Sequence, residues 1–214
     1  MDWKDYLKVA LANVEIEGFS ELIYMHGGEQ ELNRQFWKEL DKAFSTQTSP
    51  KRYYPILEKP IGRCRADIVI VDLESSDGSI VCIIEAKAQI YQERQQYRQL
   101  EKDISLRLKM TDQPSISKDC QFFCLMWTKV ATEPFNRSYD ERIEPKYFKR
   151  YVTALNKQKI FTNEEFKANK VGKEFPKEYA ITELVTSKDI PVNGDLYNGF
   201  NVALHAAIYE AYTI

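Results

Sequence analysis

RADIVIVDLESSDGSIVCIIEAK, residues 65–87, decides how the rest of the chain is read. Two β-branched runs, Ala66–Leu73 and Ile80–Ala86, flank a Ser-Ser-Asp-Gly-Ser turn, which predicts two adjacent strands joined by a hairpin connection. Such strands should be almost wholly apolar. Yet Asp67 stands at the start of the first, and Glu85 and Lys87 stand two apart at the end of the second. Side chains alternate faces along a strand, so Glu85 and Lys87 point the same way and Ala86 the other. Burying an unpaired carboxylate is costly enough to neutralise it, so a cluster of this kind persists where something compensates it. A divalent cation is the natural candidate.

Working upstream, EQELNRQFWKELDKAF repeats Leu32, Phe36, Leu40 and Phe44 every four residues after Gly27-Gly28, which predicts an amphipathic helix. Glu29 falls in its first turn, at the edge of the buried stripe. An acid there also complements the helix dipole, so a role in the site and a role in the helix both stay open. Glu39 lies on the same face, further down. Trp3 to Val14 carries another helical stripe and reads as a docking helix. TQTSPKRYYPILEKPIGRC then brings Lys51, Arg52, Lys59, Arg63 and Arg65 just ahead of Asp67, with Tyr53–Leu57 predicted as a proline-bearing edge strand. Basic residues in this position suit a phosphate backbone and are equally at home on a solvated loop.

Downstream, AQIYQERQQYRQLEKDISLRLKM carries Tyr97, Leu100, Ile104 and Leu108 at helical spacing, with Gln92 and Gln96 one turn apart near Lys87. KDCQFFCLMWTKV is apolar enough for an interior strand, expected parallel to the Glu85 strand because a long helix connects the two. Residues 132–178 read as an insertion or subdomain where Lys and aromatic residues interleave. YAITELVTS alternates like a returning strand, and GDLYNGFNVALHAAIYEAY, rich in alanine, is predicted to close the chain as a helix. His205 within it reads as a core residue.

A chain of 214 residues, 43% hydrophobic and 13% aromatic, is expected to form one globular domain with a core at about 27–130. Its net charge of −2 denies it a blanket affinity for nucleic acid, so any phosphate contact has to be local. No apolar run is long enough for a membrane span, and MDWKDYLKVA has acids where a secretory signal would be basic; a cytoplasmic location without membrane partners is expected. The cysteines Cys64, Cys82, Cys120 and Cys124 fall mostly in predicted strands, without the second pair a zinc site needs.

Asp67, the Glu-x-Lys of Glu85 and Lys87, the glutamate-led helix before them and the long helix after them together resemble the PD-(D/E)XK nuclease superfamily. Ala66 stands where the name of that superfamily has proline. The resemblance implies an α/β fold, a restriction-endonuclease-like mixed β-sheet core flanked by helices. It also implies Mg2+-dependent hydrolysis of phosphodiesters, with Mn2+ able to substitute. Asp67, Glu85 and the Ala86 main-chain carbonyl would hold the ion, Lys87 would act on the attacking water, and Glu29 would join the site. Arg63, Arg65, Gln92 and Gln96 would contact nucleic acid, although Gln96 stands where some relatives have a tyrosine. DNA is the expected partner, in restriction, phage defence or repair, with RNA left open and a homodimer among the arrangements relatives use. Two alternatives stand beside it: a catalytically inactive nuclease-fold module that binds nucleic acid or a protein, and a structural ion-pair network.

Overall fold

The two β-branched runs form neighbouring antiparallel strands. A computed structural model describes residues 3–15, 28–46, 51–75, 78–89, 113–131, 179–192 and 202–213. In it β2 (Cys64–Asp72) and β3 (Ser79–Gln89) pair antiparallel, with Ile68 opposite Ile84 and Ile70 opposite Cys82. Ser75 closes the connection, its hydroxyl donating to the Asp72 carbonyl and accepting from the Ser79 amide. β1 (Tyr53–Ile61) pairs antiparallel with β2 and forms one edge of the sheet, where Pro55 and Pro60 cost no interior ladder bond. It runs four residues beyond the expected Leu57. The tight β1–β2 turn uses Gly62 at a φ of +58°, a conformation that glycine takes without a side-chain clash.

β4 (Ile116–Ala131) lies parallel to β3, as the apolar run after a crossover requires. The remaining strands are β5 (Tyr179–Val192) and β6 (Val202–Thr213), and the mixed sheet has the order β1-β2-β3-β4-β6-β5. β6 corrects the expected closing helix. Its Leu204, Ala206 and Ile208 enter one core while Ala207 and Tyr209 enter the other, so it is a central strand buried on both faces. Such strands read as continuous apolar runs without a diagnostic period, and alanine's helix propensity yields to tertiary pairing.

Helices α1 (Trp3–Asn13) and α2 (Gly28–Ser45) pack on one face of the sheet. Leu7, Leu11, Leu32, Phe36 and Leu40 are fully buried there against Ile68, Ile70, Ile84 and Trp127. Two hydrogen bonds fix α2 in register: Trp127 Nε1 donates to Asn33 Oδ1 at 2.9 Å, and Trp37 Nε1 to the Pro55 carbonyl at 2.7 Å. The opposite face carries a second apolar core of Val69, Ile83, Phe122, Cys124, Met126 and Tyr209. Among the described residues no helix is long and apolar enough to cross a membrane. The expected insertion at 132–178 and the helix stripe Tyr97–Leu108 lie outside the described residues.

Candidate active site

β2 and β3 part before β3 ends. Their last described pair in this direction is Ile68 with Ile84, whereas β3 continues to Gln89, paired among the described residues with β4 alone. A strand that loses its neighbour leaves amides needing acceptors. Here two carboxylates supply them. Asp67 Oδ2 accepts from the Ala86 amide at 2.8 Å, and Glu29 Oε2 accepts from the Ala88 amide at 2.8 Å. Acids from β2 and from the first turn of α2 therefore stand side by side along the flank of β3 that β2 leaves.

Lys87 lies between these two amides in sequence, and its Nζ is 3.6 Å from Glu29 Oε1. The lysine side chain is 15% exposed and that of Glu29 33%, so this ion pair is partly shielded from water. Burial raises the Glu29 carboxyl above the ordinary glutamate range, the Lys87 ammonium and the Ala88 amide oppose that rise, and the charge of Asp67 adds to it. Glu29 thus feels the charges of both Lys87 and Asp67.

Glu85 occupies a different setting. It is 3% exposed and sits opposite Cys124 of β4, whose thiol is pushed up by burial first and by the Glu85 charge second. Continuing the β2–β3 register by one step brings Asp67 level with Glu85, and antiparallel residues at one level share a face. Alternation also puts Glu85 and Lys87 on the face of Ile83, away from the helices. In an extended strand a residue's amide and carbonyl point to the same neighbour, so the Ala86 carbonyl faces the flank where its amide meets Asp67.

Magnesium takes hard oxygen donors and keeps several waters, so one or two carboxylates with a substrate phosphate suffice. Asp67 Oδ1, the Glu85 carboxylate and the Ala86 carbonyl fit that requirement in kind. No cluster of three or more His, Cys, Asp or Glu side chains able to hold a metal occurs among the described residues, so any ion here would rest on a two-carboxylate set. The thiols are no substitute, because burial raises Cys82, Cys120 and Cys124 alike.

Arg63 is exposed in the β1–β2 turn. Arg65 is exposed beside it, its guanidinium 3.2 Å from Glu58. Glu39 lies far down α2, paired with Lys42 at 2.5 Å, which removes it from the site. Gln92 and Gln96 lie outside the described residues. Sequence reasoning missed Glu58, which sits across from Asp67 in β1 at a φ of +50°, unusual for a residue other than glycine, and accepts from Gln30 Nε2 at 3.3 Å. It also missed Asn33, a buried polar residue whose only signal was its place inside the apolar stripe of α2. Comparison of the chain with protein-family models, with curated proteins and with solved structures finds no match.

Proposed function

We propose that this chain is a Mg2+-dependent nuclease of the PD-(D/E)XK kind, with a restriction-endonuclease-like core, acting on DNA in the cytoplasm in restriction, phage defence or repair. The observation that carries the reading is the meeting of Asp67, Glu29 and Lys87 where β2 and β3 part. The order of elements supports it: a helix led by a glutamate, an antiparallel meander of β1, β2 and β3, then β4 parallel to β3.

Asp67, Glu85 and the Ala86 carbonyl would hold the ion. When bound, magnesium would neutralise charge on the phosphate and make an attacking water more acidic. Lys87, at the rim of the same flank, as the ammonium orients that water and stabilises the phosphorane-like charge of the transition state, or as the neutral amine takes the water's proton. Glu29 holds the lysine in place through its ion pair and anchors the strand end through the Ala88 amide. Arg63 and Arg65 receive the phosphate backbone.

A second reading keeps the fold as a binding module for nucleic acid or a protein, without catalysis. The net charge of −2, which gives no general attraction to a polyanion, favours it for a protein partner. Incubation of supercoiled plasmid, linear duplex, single-stranded DNA and RNA with magnesium separates the two. The nuclease reading expects cleavage that EDTA stops and that Lys87→Ala reduces at least about a hundredfold, the scale of a lost acid–base group. Binding without cleavage by the wild type supports the module instead.

A further inference from the structure

β3 and β4 run parallel and end at the same edge of the sheet, and open α/β sheets bind ligands outside the carboxyl ends of such strands. β6 begins and β5 ends at that edge, since β4, β6 and β5 are antiparallel in turn. Asp189 of β5 and His205 of β6 stand directly opposite each other there, and His205 Nδ1 is 2.6 Å from Asp189 Oδ1. His205 alternates with Leu204 and Ala206 of the helix-side core, so it shares the other face with Lys87. The register runs Lys87, Met126, Ala207 on one level and Gln89, Thr128, His205 on the next. His205 is therefore two strands across and one dipeptide along from Lys87, roughly 12 Å away by strand spacing and rise.

Asp189 fixes the ring through Nδ1, and among the described residues Nε2 has no partner. The His205 side chain is 15% exposed, so the ring is not sealed from solvent. We propose that His205, oriented by Asp189, is a second phosphate-binding group, taking a backbone phosphate of the nucleic-acid strand that flanks the phosphate attacked at Lys87. This rests on the nuclease reading. When Nε2 carries a proton it donates to the phosphate oxygen while Nδ1–H donates to Asp189, so the ring bridges two anions by charge-assisted bonds.

Fluorescence anisotropy of labelled single-stranded and duplex DNA, with calcium in place of magnesium, tests it. His205→Ala is expected to weaken binding roughly tenfold and to lower the slope of log K against log salt by about 0.7 on single strands. His205→Arg, which keeps a cationic donor, restores the slope, and Asp189→Asn weakens binding with the ring still present. A neutral methylphosphonate at the flanking position weakens the wild type and leaves His205→Ala unaffected. Equal affinity and slope for wild type, His205→Ala and Asp189→Asn overturn the phosphate site and leave the pair a cross-strand contact. A wild type that binds and cuts no nucleic acid overturns the nuclease reading and this site with it.

Discussion

Asp67 does two things that substitution can separate. Its Oδ2 gives the buried Ala86 amide an acceptor, and in the proposed site its other oxygen would serve a cation. Asp67→Ala orphans that amide and is expected to cost about 1–3 kcal/mol in denaturant unfolding. Asp67→Asn keeps an acceptor and is expected to stay within about 0.5 kcal/mol of wild type, while losing cation binding as fully as the alanine variant. Equal destabilisation by both would show that the amide bond is not what Asp67 contributes to the fold. Glu29 yields a pH prediction. Burial raises its carboxyl above the ordinary value of 4.5, against the pull of Lys87, so the folded chain holds that proton more tightly than the unfolded one. Its contribution to stability is present below the ordinary value and is lost as pH rises through the raised one. As pH rises from the ordinary glutamate value through the raised one, the wild type should therefore lose stability relative to Glu29→Gln, a difference in which the other carboxylates largely cancel. A gain in the wild type over that range would contradict the burial argument.

At the scale of elements, the end of β3 is held from the helix side as well as within the sheet. α2 reaches β4 through the buried Asn33–Trp127 bond, so Asn33→Leu leaves the indole donor without its partner and is expected to cost about 1–3 kcal/mol in unfolding. The hairpin β2–β3, the edge strand β1, the parallel β4 and both described helices were legible because each carries a local signal: alternation, proline at an edge, or a four-residue apolar repeat. Asp67, Glu85 and Lys87 were legible for the converse reason, as charges in an apolar run. β6 was not. Its alanines and its Leu204, Ala207, Ile208 spacing favour a helix locally, and only pairing on both sides with β4 and β5 makes it a strand. With β6 unseen, Asp189 and His205 were sixteen residues apart with nothing to join them. Glu58 was equally silent, since nothing in the residue type signals its left-handed backbone. Because β6 lies between β4 and β5, deleting residues 202–214 should expose the apolar flank of β4 and abolish cooperative unfolding. A helix merely docked on the outside would leave a folded remainder.

For the whole molecule, the sheet divides the labour between two faces and one edge. One face is packed by α1 and α2, the other carries Glu85, Lys87 and His205 among apolar neighbours, and the carboxyl ends of β3 and β4 bring the charged groups to a common edge. The proposed nuclease activity requires that a hard cation complete the acids at this edge. The most direct measurement is a titration with Mn2+, read by the loss of the free-ion paramagnetic resonance signal, on wild type, Asp67→Asn and Glu85→Gln. Saturable binding by the folded wild type, competed by magnesium, is expected, with loss of that binding in both variants while each retains its folded spectrum. Undiminished binding by Asp67→Asn and Glu85→Gln, or no binding by the wild type, would contradict it.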